Sequence, residues 1–343
     1  MTEYTALYRK YRPNNFGEVL DQDHIVQVLK GAIEKKQIPH ALLFSGTRGT
    51  GKTTLARIFA SALGTKAVDI YEMDAASNRG IDDIRELKEA VYTLPYESEK
   101  KVYIIDEVHM LTKDAFNALL KTLEEPPSHV VFILATTEED KLLDTILSRC
   151  QIFRFRSPSR EVLKKTVTDI SEKEGFTLTP EAADMIAIAA DGSFRDALGV
   201  TQKVILASGD TIGSADEVAT IIGAPKNALL QDLVEAISSK NAELGIETIR
   251  KAIGEHVEMK LFIRLLLERV RAVILLRNAP NQKDILLASF STEDQTQLEA
   301  LAGDKTNIHS HTLLRLLEAA EQTQKAQITQ LPLELALVEI CEK

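Results

Sequence analysis

Gly46-Thr47-Arg48-Gly49-Thr50-Gly51-Lys52-Thr53 fits the pattern G-x-x-x-x-G-K-[ST], and its flanks restrict the fold more than any other stretch of the chain. It directly follows the apolar run Ala41 to Phe44 and directly precedes Thr54-Leu55-Ala56-Arg57-Ile58-Phe59-Ala60, which reads as a helix. Strand, glycine-rich turn and helix in that order make a phosphate cradle. Glycines let successive backbone N–H groups turn inward and the helix N-terminus adds positive dipole, while Lys52 can reach the β and γ phosphates of a nucleotide and the Thr53 hydroxyl can ligand Mg²⁺. The nucleotide-binding residues are therefore expected to be Gly46, Thr47, Arg48, Gly49, Thr50, Gly51, Lys52, Thr53 and Thr54. The plain alternative, a tight turn with a solvated lysine, does not need the strand before it and the helix after it.

About fifty residues on, Val102-Tyr103-Ile104-Ile105 runs into Asp106-Glu107-Val108-His109. Two carboxylates at the end of an apolar strand are usually a solvated turn. Beside a phosphate loop they gain a use: Asp106 can hold Mg²⁺ through water, and Glu107 can polarise an attacking water. His109 reads as a packing or hydrogen-bonding residue, because Glu107 already fills the role of base.

The pattern around these motifs is that of an α/β protein. Candidate strands are Ala41 to Phe44, Asp69 to Met73, Lys101 to Ile105 and Val130 to Ala135, and the last two are nearly continuous apolar runs, as strands buried on both faces should be. Lys113 to Glu125 places Ala115, Phe116, Leu119, Leu120 and Leu123 on one helical face, with Thr112 as N-cap and Pro126-Pro127 as the stop. After Phe155 the strand signals fade. Three helices with caps near Ser159, Thr179 and Ser193 follow, then a joint at Thr211-Ile212-Gly213-Ser214, then helical periodicity to the end, broken near Pro225, Asn278 to Asn281 and Pro332. The expected domains are 1–156, nucleotide-binding α/β; 157–212, a small helical lid; and 213–343, all helical.

Composition closes off several function classes. Lys and Arg total 41 against 51 Asp and Glu, a net charge of −10, so affinity for nucleic acid cannot come from bulk charge. Only Cys150 and Cys341 are present, which excludes a disulfide framework and a four-thiolate zinc site within one chain. The N-terminal residues lack the apolar core of a signal peptide and no run is long enough for a membrane span, so a cytoplasmic protein without membrane contact is expected.

The motifs together resemble a family. The phosphate loop, Asp106-Glu107, Thr136-Thr137, Ser148-Arg149-Cys150 and Gly192-Ser193-Phe194-Arg195-Asp196 follow the order of the AAA+ ATPases of the clamp-loader clade. Tyr8-Arg9-Lys10-Tyr11-Arg12-Pro13, Asp74-Ala75-Ala76-Ser77-Asn78 and the run from Phe116 to Pro127 look like signatures of the gamma/tau ATPase subunits of bacterial DNA polymerase III. The resemblance implies a P-loop parallel-sheet domain, a helical lid and a helical collar that gathers subunits into a ring. It implies ATP with Mg²⁺ as the ligand, and the loading of a sliding clamp onto primed DNA as the work. Partners would be delta-type and delta-prime-type subunits, copies of the chain itself, the clamp and DNA.

Residue by residue, the resemblance makes Thr137 the polar sensor of the γ-phosphate. Arg149 becomes the finger that projects into a neighbour's ATP, an effect worth roughly 10³ to 10⁵ in rate in other systems. Arg195 becomes a second sensor reaching the nucleotide from the lid, and Arg12 and Pro13 lie near adenine and ribose. Cys150 reads as a small buried residue rather than a nucleophile.

Departures from the family pattern are few. Members usually carry a four-cysteine zinc module between the helix after the phosphate loop and the second strand, whereas Ala60 to Asp69 contains no cysteine, so no zinc is expected. Asp21 stands where Gly is general, and Thr47 where Pro is common. Rival readings are another AAA+ machine, such as a helicase motor or a protein remodeller, and a non-catalytic scaffold. The intact phosphate loop argues against the scaffold, and the run Asn117 to Pro127 against the other machines.

Overall fold

Strands form where the apolar runs are densest. They are β1 (Ala41–Ser45), β2 (Ile70–Asp74), β3 (Lys101–Asp106), β4 (Val130–Thr136) and β5 (Gln151–Arg154). In the computed structural model, which describes residues 5–78, 80–208, 215–287, 290, 292–303 and 307–342, they pair in the order β2-β3-β4-β1-β5, every pair parallel. β5 was not among the expected strands. It is four residues long at a sheet edge and only its middle pair, Ile152 and Phe153, is apolar, so it has neither the length nor the continuous apolarity of β4. Asp69, expected to open the second strand, instead closes a 3₁₀ turn. Its buried carboxylate accepts from the backbone N–H groups of Tyr96 (2.6 Å) and Glu97 (2.9 Å).

Seventeen helices are described: α1 (Leu7–Lys10), α2 (Asp23–Glu34), α3 (Lys52–Ala62), α4 (Ile81–Val91), α5 (Lys113–Glu124), α6 (Asp144–Leu147), α7 (Arg160–Lys173), α8 (Pro180–Ala189), α9 (Phe194–Ala207), α10 (Ala215–Ile222), α11 (Asn227–Ser238), α12 (Ala242–Gly254), α13 (Met259–Asn278), α14 (Lys283–Leu287), α15 (Thr292–Gly303), α16 (Ser310–Thr323) and α17 (Leu331–Glu342). The expected caps are in place. Thr112 accepts from Ala115 N–H, Ser159 from Val162, Thr179 from Ala182 and Ser193 from Asp196. The expected joint at Thr211 to Ser214 lies outside the described residues.

The chain divides into two compact units, Met1–Glu174 with Ile186–Gln202, and Gly175–Met185 with Lys203–Lys343. In the first, side chains of each strand alternate between two cores because the sheet is covered on both faces. Leu43, Phe132, Leu134 and Ile105 meet Ile84 of α4 and Phe116, Leu119 and Leu123 of α5. Leu42, Phe44, Ile133 and Ile104 meet Ile25 and Leu29 of α2 and Leu55 and Phe59 of α3. The C-terminal ends of β3, β4 and β1, adjacent in the sheet, thus open onto one rim, where ligands of such sheets bind.

The second unit is built around α13, which packs against α11, α15 and α16. The apolar excess of Leu261 to Leu266 goes into that core, whereas Leu314 and Leu317 of α16 and Leu335 of α17 stay exposed. Arg269, buried, donates to Asp294 (3.1 Å) and Asn227 (2.5 Å), tying α13 to α15 and α11. No described helix is long and apolar enough to cross a membrane.

Candidate active site

The turn between β1 and α3 owes its shape to two left-handed glycines, Gly49 (φ +77°) and Gly51 (φ +97°). Gly49 also has no room for a side chain, since a Cβ there would stand 1.9 Å from Ser193 Oγ. Its carbonyl accepts from the N–H of Phe194 (3.0 Å), so the phosphate loop is joined by backbone to the start of α9. Gly49→Ala should therefore lose nucleotide affinity more than tenfold, as strain and clash add. Fluorescent-nucleotide titration measures this; affinity unchanged would mean the loop adjusts freely.

Lys52 opens α3. It is buried, and its Nζ donates to the carbonyls of Gly46 (2.8 Å) and Thr47 (2.9 Å). Burial holds its pKa below the usual lysine value, while the carboxylates of Glu107 and Asp106 pull the other way. Thr53 follows, and its hydroxyl donates to Asp106 Oδ2 at 2.7 Å. The parallel sheet thus unites the two motifs read separately in the sequence. A hydroxyl and a carboxylate side by side are hard oxygen donors, a set that fits Mg²⁺ with its remaining positions left to water and phosphate.

Glu107 turns out of β3 in the left-handed conformation (φ +48°). Its Oε2 accepts from the hydroxyl (2.9 Å) and the N–H (3.2 Å) of Thr137, at the end of β4. His109 lies beneath, with Nδ1 2.9 Å from Thr136 Oγ1 and 3.5 Å from Glu107 Oε2, and Nε2 3.3 Å from Glu138 Oε1. It is the hydrogen-bonding residue the sequence suggested. Thr136 and Glu138 among its partners could not have been read, because they lie on and just past the neighbouring strand β4.

A cleft of ≈ 680 Å³ gathers Arg12, Pro13, Arg48, Gly49, Thr50, Gly51, Lys52, Thr53, Thr54, Asp106, Glu107 and Arg195. Gly46 and Thr47 form the loop's entry and Thr137 reaches the cleft through Glu107, so none of the three lines it. Arg195 lies with its guanidinium 5.0 Å from the Tyr8 ring centre, and hydrogen bonds from Arg195 and Arg9 lower the Tyr8 pKa. Burial, with nearby Arg57, lowers that of Arg12. Arg149 stands apart from the cleft. Its Nη1 donates to Thr145 O (2.7 Å) and its Nη2 to Glu124 Oε1 (2.6 Å). Cys150, half-buried beside it, has its thiol pushed up to about 11 by burial.

Two cleft features were missed. Tyr8 lines the cleft, and its motif gives no sign of a role for the ring. Arg57 and Glu72 form a two-pronged pair, Nε to Oε2 and Nη2 to Oε1, both 2.7 Å. A glutamate inside a strand was the available signal.

Asp21, at the Gly position of the family pattern, adopts φ +59°. Glycine takes that conformation without cost and Asp better than most residues. The carboxylate also accepts from Ser159 N–H (3.1 Å) at the start of α7, offsetting strain. Between Ala62 and Ala67 only a short turn joins α3 to the 3₁₀ turn before β2, where the usual zinc module would stand.

Three family descriptions match the chain in succession. "DNA polymerase III, delta subunit" matches residues 65–159, "DNA polymerase III clamp loader subunit, ATPase lid domain" residues 163–210, and "DNA polymerase III subunits gamma and tau domain III" residues 214–343. DNA polymerase III subunit tau of Bacillus subtilis is 35% identical over 364 aligned residues, 99% of this chain and 63% of that protein. The chain belongs to the DNA polymerase III gamma/tau family. Subunit tau of Escherichia coli K12 is 38% identical over 298 residues, covering 81% of this chain and 46% of its own length. The chain thus spans about half to two thirds of these two gamma/tau relatives. Among solved structures, the Thermotoga maritima RuvB Holliday junction branch migration motor superposes with a TM-score of 0.53 at 23% identity, covering 67% of this chain and 80% of that one. That likeness establishes an AAA+ fold.

Proposed function

We propose that this gamma/tau family member is an ATPase that loads a ring-shaped sliding clamp onto primed DNA in the cytoplasm. The observation that carries the reading is the hydrogen bond between Thr53 Oγ1 and Asp106 Oδ2 at the mouth of the phosphate loop, with Glu107 next in sequence. A P-loop hydroxyl and a strand-end aspartate in contact are the pair that holds Mg²⁺ in phosphoryl-transfer sites. When bound, that ion would neutralise charge on the β and γ phosphates.

Each residue then has a role in this chain. The backbone from Gly46 to Thr54 cradles phosphates, Lys52 exchanges its bonds to loop carbonyls for phosphate oxygens, and Glu107 orients the attacking water. Thr137, already bonded to Glu107, couples that carboxylate to the γ-phosphate position. Arg12 and Pro13 lie along the base and ribose, and Arg195 reaches the nucleotide from α9. Arg149 acts on a neighbouring copy. Residues 1–156 would be the nucleotide-binding domain, 157–212 the lid and 213–343 the collar, whose exposed Leu314, Leu317 and Leu335 suit contacts with delta-type, delta-prime-type and identical subunits.

Steady-state ATPase with clamp and primed DNA, added separately and together, tests the reading. The expected result is weak turnover alone and strong stimulation by both. Stimulation by neither would leave only a generic AAA+ protein.

A further inference from the structure

The run from Phe116 ends in Glu124-Glu125-Pro126-Pro127, and neither carboxylate lines the nucleotide cleft. Their placement is electrostatically odd. α5 ends at Glu124, fixed there by the two prolines, so two negative charges stand at the negative end of a helix dipole, where cations are favoured. Glu124 is relieved of that disadvantage by one partner, Arg149, at 2.6 Å.

Arg149 is gripped from a second side. Its Nη1 donates to Thr145 O (2.7 Å) and to Ser148 Oγ (3.3 Å), both from the α6 turn. A long side chain that would otherwise sample many rotamers is thereby held by two separate segments. Among the described residues no acceptor meets its Nε–H or its second Nη2–H. One third of the side chain is exposed, so these donors can reach a group supplied from outside the chain.

We propose that Glu124 is a positioning residue, holding the Arg149 guanidinium in one orientation so that its remaining donors meet the phosphates bound by a second copy of this chain. The inference rests on the reading of Arg149 as a residue acting on a neighbour. Both partners are partly exposed, and such pairs contribute little to folding, so a stabilising role does not explain why the pair is built.

The test uses the assembled complex with two kinds of chain mixed. A Lys52→Ala chain supplies Arg149 but has no working pocket, and an Arg149→Ala chain supplies the pocket but no arginine. Turnover in this mixture comes only from interfaces where the two meet. Adding Glu124→Gln to the Lys52→Ala chain should lower kcat about tenfold with KM for ATP unchanged, in the range expected for side chains sharing a charged hydrogen-bond network. Adding it to the Arg149→Ala chain, which has no guanidinium to orient, should cost no further turnover. Glu124→Asp in the first chain should recover part of the loss.

An equal loss whichever chain carries the substitution would assign Glu124 to folding or assembly, and no loss in the first chain would remove it as a positioning residue. If the starting mixture does not turn over, the reading of Arg149 itself falls and takes this inference with it. That outcome is visible before Glu124 is touched.

Discussion

Glu107→Gln should leave ATP binding near normal and reduce turnover by about 10² to 10⁴, the range for losing a general base. Glutamine keeps an oxygen that can accept from the Thr137 hydroxyl and N–H, so the end of β3 and its left-handed turn should hold their shape. What it loses is the negative charge that polarises water. Lys52→Ala should fail earlier, at binding, because the buried ammonium sits inside the turn of the phosphate loop. Nucleotide titration and single-turnover hydrolysis on both variants separate the two steps. Wild-type turnover in Glu107→Gln would mean that Asp106-Glu107 is a solvated turn after all, and normal ATP affinity in Lys52→Ala would undo the phosphate-loop assignment.

What the sequence disclosed follows from how far each interaction reaches along the chain. The cradle from Gly46 to Thr53 is a local structure: strand, glycines and helix are consecutive, so eight residues suffice to specify it. The caps at Thr112, Ser159, Thr179 and Ser193 are equally local and stand where they were expected. Strand order is not local. Nothing near Asp106 says that β3 and β1 lie on either side of β4, and only that order brings Thr53 to Asp106 and Thr137 to Glu107.

β5 was hidden for a different reason. As an edge strand of four residues it carries only half the apolar signal of a central one. The Arg57–Glu72 pair and the contact of Arg195 with Tyr8 join residues from separate elements, and each looks like a solvated charge in isolation. Asp21 shows a more indirect legibility. Its departure from glycine marked a special backbone position, and the positive φ gives the reason.

Arg149 tests whether hydrolysis belongs to one chain or to the contact between two. Arg149→Ala should bind ATP with near-normal affinity, because the cleft with Lys52, Thr53 and Arg195 does not include it. Thermal stability should barely move, since the bonds it loses, to Glu124, Thr145 O and Ser148 Oγ, are made by a side chain one third exposed, and exposed pairs of this kind contribute about 0–1 kcal/mol. Hydrolysis in the assembled complex should nonetheless fall by roughly 10³ to 10⁵, the size of an arginine-finger effect. The three outcomes are separable because Arg149 is held by Glu124 and Thr145 and not by any residue of its own nucleotide cleft. Mixing discriminates further. Lys52→Ala chains keep the arginine without a working pocket, so combining them with Arg149→Ala chains should restore turnover wherever an intact pocket faces an intact Arg149. A loss that no mixture rescues, or one accompanied by a collapse of ATP affinity, would place Arg149 in the service of its own chain, and the ring mechanism would lose its main support.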